Sequence, residues 1–442
     1  MKLSIFGLLV CAFALLPGCR SAKSADLAPI DDARRQKHVE SFDQVWTTIR
    51  DQHWDKDLNG VDWSAARDEL RPRVQAAKTD AEARAAMLAL IQRLKQSHFG
   101  IIPSEAYERV ASLPSGDDSK TPGAGQGDSG IHVSVVDGVA LVTEVEANSP
   151  GAAAGVRPGW ILESAGKLEV ADVLKRVDAA YADSSLVLAY RKLTTQQLLS
   201  GDAGDTVRAT FLDGSNHRVK KEIVLATPQG KPAKFGNLPT FYLRTTVKEV
   251  SPGIGYIAFN AFFDPPTVST AFKRAVEQFE KADGFIIDLR GNPGGIGFMA
   301  NGMAGYLVSE PGTKLGTMTM RSGDLKFVIN PQPTIFKGPV AVLIDEGSMS
   351  TSEIMSGGLK DIGRARIFGT PTPGAALPSR IEKLPNGDGF QYAFANYVSA
   401  KGDVLEGKGV TPDVEVKPDR KSLLAGQDRV IEAAVDWIRS KK

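Results

Sequence analysis

Three serines, Ser348, Ser350 and Ser352, stand close together in AVLIDEGSMSTSEIMSGG (341–358), directly after a short apolar run. The run reads as a buried strand, and the residues after Glu353 follow a helical pattern. A serine at such a junction meets the unpaired amides and positive potential of a helix N-terminus. Acyl transfer needs both of those things, a hydroxyl nucleophile and donors for a developing oxyanion. The segment has an ordinary reading as well, because Ser350-Thr351-Ser352-Glu353 fits the S-x-x-E capping box with Ser350 as N-cap. A second apolar run, GFIIDLRGNPGG (284–295), ends in a Gly-rich turn whose amides can point at a ligand, although alone it is only a loop.

A serine nucleophile needs a base. The chain has five histidines, His38, His53, His98, His132 and His217, and only His98 follows a serine, in LKQSHFGIIP (94–103). By itself a Ser-His pair at a helix end is most often a cap or a surface histidine. His53 reads as structural, on an amphipathic helix, and His217 as solvent-facing in the turn DGSNH. No Cys/His cluster suggests a metal and no P-loop appears, so no cofactor is expected.

The elements that must position these residues can be read along the chain. Its 442 residues suggest two or three domains, and 53 basic against 52 acidic residues argue against a nucleic-acid partner. Met1-Lys2 followed by apolar Leu3 to Leu16 is too short to span a membrane and reads as a targeting segment, 1–18, that ends at Gly18-Cys19. It resembles a bacterial lipoprotein signal, with Cys19 as the lipidated residue, or else an ordinary secretory signal cleaved slightly later. Cys11 lies inside the removed part, which leaves Cys19 alone and no disulfide within the chain. Residues 19–37 read as a tether, 38–111 as a helical domain with a 3.6-residue stripe through Val39, Phe42, Val45, Trp46 and Ile49, and 112–129 as a Gly/Pro/Ser/Asp linker. From 235 to 442 short apolar strands alternate with helices, an α/β pattern.

Five segments in order, GYIAFNAFF (255–263), GFIIDLRGNPGG, the serine block, LKDIGRARIFGTPTPGAA (359–376) and EGKGVTPDVEV (406–416), resemble the carboxyl-terminal processing (tail-specific) serine protease family. The resemblance implies a ClpP/crotonase-like spiral catalytic domain, Ser350 as nucleophile, and oxyanion donors on Thr351 and Gly294, with Gly295 as the alternative to Gly294. The serine–lysine branch of the family places a lysine where this chain has Ala375, after Gly374. Lys360 is nearby but reads as solvated. The tricorn-like branch uses a histidine preceded by a serine and a glutamate before a G-V-x-P-D segment. Carried onto this chain, that implies His98 as base, Glu406 as its orienter and Ser97 as a supporting hydroxyl, with a rate that falls as pH drops through the histidine range near ~6.5.

Residues 130–228 resemble an inserted PDZ domain, through GIHV, ALVTEV, SPGAAAG, RPGW and a hairpin at Asp213-Gly214. Such domains capture peptides by strand addition and hold a terminal carboxylate on loop amides. Here the loop is Gly130-Ile131-His132-Val133, with His132 in place of the second glycine. The expectation is an exported, lipid-anchored serine endopeptidase that acts on polypeptides, with substrate C-termini held at the PDZ loop. The alternative is a non-catalytic peptide-binding relative of the same fold.

Overall fold

The computed structural model describes residues 28–104, 126–182, 184–233 and 240–441. The expected signal segment and Cys19 lie outside the described residues, as does most of the expected linker. Among the described residues no helix is long and apolar enough to cross a membrane.

Three helices come first: α1 (Asp32–Gln52), α2 (Trp63–Gln75) and α3 (Asp80–Gln92). α1 starts inside the stretch expected to be a tether, because the Asp31 carboxylate accepts the Arg34 N–H at 2.7 Å and caps the helix there. Its stripe of Val39, Phe42, Val45 and Ile49 is buried. The strand β1 (Gly100–Ile102) then leaves the helices and pairs across the molecule.

The next unit holds β2 (Gln126–Asp128), β3 (Ile131–Val136), β4 (Val139–Val145), α4 (Pro150–Ala153), β5 (Ile161–Ala165), β6 (Leu168–Glu169), α5 (Val170–Tyr181), α6 (Val187–Gln197), β7 (Ser200–Asp202), β8 (Thr206–Leu212) and β9 (Arg218–Val224). An antiparallel sheet runs β3-β4-β5-β8-β9, with β6 on β5, and β2 pairs with β7. The last residues of the expected linker are therefore ordered as β2. Ile131, Val133, Val142, Leu162, Phe211 and Ile223 form a core of the unit's own.

The remainder comprises β10 (Lys231–Ala233), β11 (Phe241–Leu243), β12 (Thr245–Ser251), β13 (Ile254–Phe259), α7 (Pro265–Gln278), β14 (Gly284–Asp288), α8 (Gly297–Ala304), β15 (Lys314–Met320), β16 (Gly323–Val328), β17 (Val340–Ile344), α9 (Thr351–Asp361), β18 (Ala365–Gly369), β19 (Ser379–Lys383), β20 (Gly389–Ala393), β21 (Ala395–Ser399), β22 (Val414–Glu415), α10 (Arg420–Leu424) and α11 (Arg429–Arg439). Its main sheet runs β12-β13-β14-β17-β18-β22, antiparallel at the first pair and parallel beyond it. β14 and β17 are the two apolar runs of the sequence and are buried along their whole length, as parallel strands covered on both faces are. They are neighbours, with Asp288 opposite Leu343, so the Gly-rich turn and the serine turn leave the sheet side by side.

One face of the sheet shares a continuous core with the N-terminal helices, joining Phe42, Ile49, Leu70 and Leu90 to Phe272, Phe285 and Phe390. The other face carries α11 through Val430, Ala434 and Ile438. Two further sheets, β1-β20-β19 and β16-β15-β21, flank it.

Candidate active site

The serine turn is built by the end of β17 and the start of α9. Ser350 is fully buried and takes the N-cap position with φ 59° and ψ −114°. A non-glycine residue with positive φ is strained, and such strain persists only where the surroundings over-determine it, most often at functional sites. Ser348 Oγ donates to Leu289 O at 2.7 Å, and Ser352 Oγ donates to Asn292 O at 2.8 Å. Ser352 lies in the first turn of α9, which begins at Thr351. Among the described residues Ser350 Oγ has no hydrogen-bond partner, so of the three serines it alone has an uncommitted hydroxyl.

The Gly-rich turn packs against it. Gly294 has φ 95°, and a Cβ there would lie 2.8 Å from Ser350 Cβ and 2.9 Å from Thr351 N. Only glycine allows that approach. The oxyanion expectation for Gly294 needs correction, because its N–H donates to Asn292 Oδ1 at 2.9 Å and is already spent. Among the described residues the Thr351 and Gly295 N–H groups make no hydrogen bond. Asn292, buried, knits the two turns together: Nδ2 donates to Phe259 O at 2.7 Å, and its carbonyl accepts the Met349 N–H at 3.0 Å.

His98 comes from the other end of the chain, just before β1. It is buried with φ 61°, a second strained non-glycine residue. Its Nδ1 lies 2.7 Å from Ser97 Oγ, Ser97 Oγ lies 2.8 Å from Glu406 Oε2, and the Ser97 N–H donates to Glu406 Oε1 at 2.7 Å. Glu406 thus reaches His98 through Ser97 and not directly. Ser97 has one hydroxyl proton; given to the carboxylate, it leaves the oxygen to accept from His98 Nδ1–H, which puts the basic lone pair on Nε2. Nε2 is buried and, among the described residues, unpartnered, like Ser350 Oγ.

Electrostatics alter the expected pH control. Burial pushes the His98 pKa down to about 3, because the cation has no solvent, so the ring is neutral across the physiological range. Burial pushes Glu406 up to about 7 against the hydrogen bonds from Ser97 and Ala376. It does the same to Glu353. The titrating groups near neutrality are these carboxyls and not the imidazole.

The other expected positions are also located. Lys360 is not simply solvated: Nζ donates to Thr411 O at 2.6 Å and pairs with Asp413 at 3.2 Å. His53 is buried and bonded to Gln96 Oε1 at 2.8 Å, and the His217 side chain is mostly exposed. At the expected carboxylate loop the amides are occupied. The Gly130 N–H donates to Asp128, Ile131 N–H to Ser129 Oγ, and Val133 N–H to Gln196 Oε1. Gln196 Nε2 also donates to Ile131 O at 2.7 Å, and His132 bonds Glu146 at 2.7 Å. In this conformation the loop is filled by the protein's own groups, and the Glu146 carboxylate beside it is paired with Arg244.

Gln196 belongs to α6, whose other residues approach the site. Leu186, Ala189, Tyr190 and Leu193 pack with Met349 and Ala375. Lys192 pairs with Asp345 and lies 3.5 Å from Glu346. Asp345 in turn accepts the N–H groups of Gly291 at 2.7 Å and Gly347 at 2.8 Å.

Comparison with known proteins gives this arrangement a context. Residues 253–416 match peptidase family S41. The chain carries a peptidase family S41 domain. Residues 34–90 match the tricorn protease C1 domain, so the helices that lead to His98 have a recognised counterpart as well. The chain is 26% identical over 391 residues to carboxyl-terminal-processing peptidase 2, chloroplastic, of Arabidopsis thaliana, covering 84% of this chain and 67% of that protein. It is 27% identical over 191 residues to a probable CtpA-like serine protease of Staphylococcus epidermidis, covering 42% of this chain and only 38% of that protein. The photosystem II D1 C-terminal processing protease has the same fold, with TM-score 0.56 at 19% identity over 89% of this chain and 95% of that one. The S41 match and these relatives mark the domain as one of serine-peptidase type.

Sequence reasoning passed over several residues of the site. Asn292 was legible only as part of RGNPGG and Glu353 only as a cap. Nothing in the sequence tied Lys192 to Asp345.

Proposed function

We propose that this chain is an exported serine endopeptidase that hydrolyses polypeptides through Ser350, His98, Ser97 and Glu406. The observation that carries the reading is the hydrogen-bonded series Glu406–Ser97–His98. It leaves Nε2 as a free base, buried and without a partner among the described residues, as the Ser350 hydroxyl also is, with no hydrogen bond between the two. In this reading Nε2 takes the Ser350 proton as Oγ attacks the scissile carbonyl, and the Thr351 and Gly295 amides receive the oxyanion. His98 then protonates the leaving amine, and water, activated by the same nitrogen, releases the acyl group. Ser97 and Glu406 fix the tautomer and stabilise the transient imidazolium. Ala375 in place of a lysine fits a histidine base.

The unit from β2 to β9 is, in this proposal, a PDZ domain that assists substrate binding by strand addition at the outer edge of β3, with Gln196 displaced. Cys19 is the lipid anchor. The non-catalytic alternative is not favoured, because a binding-only chain has no need of two strained, unpartnered catalytic-type atoms. The experiment is fluorophosphonate labelling together with hydrolysis of an unfolded polypeptide. Wild type is expected to label and cleave, Ser350→Ala to do neither. A wild-type chain that binds the polypeptide without labelling or cleaving it overturns the proposal. For the anchor, Cys19→Ser is expected to abolish incorporation of radiolabelled fatty acid.

A further inference from the structure

Glu353 is the most heavily bonded carboxylate next to the nucleophile, and the mechanism above does not use it. It is fully buried. Oε2 accepts the Ser350 N–H at 2.8 Å and the Ala375 N–H at 3.0 Å, while Oε1 accepts Thr372 Oγ1–H at 2.6 Å and the Gly374 N–H at 2.7 Å. Four donors converge on two oxygens, and none of these four partners carries a charge. A mere helix cap would need only the first of these bonds.

The segment that supplies the other three is stitched to the loop carrying Glu406. The Val410 N–H donates to Thr372 Oγ1 at 2.7 Å, the Gly407 N–H to Gly374 O at 2.8 Å, and the Ala376 N–H to Glu406 Oε2 at 3.1 Å. Ser350 and His98 therefore stand at the two ends of one bonded series that runs from Ser350 N–H through Glu353, residues 374–376, Glu406 and Ser97 to the imidazole.

We infer that Glu353 is a positioning residue: its carboxylate holds the strained backbone of Ser350 and sets the nucleophile's place relative to His98 by locking both to residues 372–376. This rests on the peptidase reading above. The acceptor-only character of an ionised carboxylate is what the site requires, because every neighbouring group that bonds it is a donor. A proton on either oxygen faces donors and displaces at least one of them. Burial raises the Glu353 pKa to about 7, with a smaller push from the charge of Glu406 and against the hydrogen bonds it accepts.

The test uses the full chain and a peptide substrate. Glu353→Gln keeps the volume but turns one oxygen into an NH₂ that opposes two donors. The expected result is a kcat loss of about 10²-fold with KM changed less than about threefold, since a small misplacement of reacting groups has that cost. The acid limb of the pH–rate profile is also expected to change. Wild type falls with a slope approaching two, as Glu353 and Glu406 both protonate, and the variant with a slope of one. If Glu353→Gln fails to fold, Thr372→Val carries the test. It removes one donor and keeps the carboxylate, and it is expected to shift the acid limb to higher pH and lower kcat. Folded variants with wild-type kcat and wild-type acid limb overturn the inference while wild-type cleavage keeps the peptidase reading. A wild-type chain that neither cleaves nor labels overturns both.

Discussion

At the scale of the residue, the three serines of 348–352 separate by what their hydroxyls already do. Ser348 and Ser352 each hold a carbonyl of the neighbouring turn, whereas the Ser350 hydroxyl has no partner among the described residues. Ser350→Ala is expected to abolish cleavage with an unchanged melting temperature. Ser348→Ala and Ser352→Ala should each cost about 1 kcal/mol of stability and retain cleavage, because each removes a buried hydrogen bond and not the nucleophile. Parallel denaturation and cleavage assays distinguish these outcomes, and loss of cleavage in Ser352→Ala with activity in Ser350→Ala would reassign the nucleophile. The base arm makes a second prediction. With His98 at about 3 and Glu406 and Glu353 at about 7, cleavage should be full above neutrality and be lost as pH falls through about 7, not through the histidine range. In the proposed mechanism only ionised Glu406 supports the imidazolium through Ser97. Glu406→Gln should therefore be impaired even at alkaline pH, and a profile that still turns near 7 in that variant with unchanged rates would remove Glu406 from the mechanism.

At the scale of the element, α6 is the piece whose importance was not visible beforehand. It lies between β6 and β7. In the fold its Lys192 pairs with Asp345, which anchors the amides of Gly291 and Gly347 on either side of the active turn. Lys192→Met leaves Asp345 with a mostly buried, uncompensated charge, and loss of one partner of such a pair costs about 3 kcal/mol. Urea denaturation of the full chain measures it. A change below about 0.5 kcal/mol would mean that the pair behaves as a surface salt bridge.

At the scale of the whole molecule, the site exists only because the two ends of the chain meet. β1 pairs with β20, and the buried Arg84 forms a bidentate pair with Asp388 at 2.9 and 2.7 Å. Removal of residues 20–112 should abolish cleavage, and since the helices share the main core it should also expose apolar surface, measurable by dye binding. A soluble, active truncation would contradict the assignment of His98. The site also links stability to pH in a defined sense. Glu353 and Glu406 bind protons more tightly folded than unfolded, so their contribution is fully present below their ordinary pKa near 4.5 and is lost as pH rises through about 7. His98 works oppositely between about 3 and 6.5, its contribution being lost as pH falls. Two carboxyls outweigh one imidazole, so from this site the melting temperature should rise as pH drops from about 7 toward 5 while activity falls. Glu353→Gln should flatten that rise.

Much of this was written locally. The buried strands β14 and β17, the helix start at Ser350 and the turn glycines follow from short-range pattern, because apolar runs, caps and positive-φ glycines act over a few residues. The composition alone argued against nucleic-acid binding, since charge balance needs no geometry. The resemblance of five ordered segments points to Ser350 and Glu406, and the Ser-His pair of LKQSHFGIIP (94–103) to Ser97 and His98. What only the tertiary structure decided are the relations between distant residues. Ser97 stands between Glu406 and His98, Asn292 takes the Gly294 amide, Gln196 fills the edge of β3, and Glu353 joins the Ser350 amide to the segment that bonds Glu406. Each of these depends on which donor meets which acceptor across hundreds of residues of chain. That is set by how the sheets and helices pack and leaves no periodic trace in the sequence.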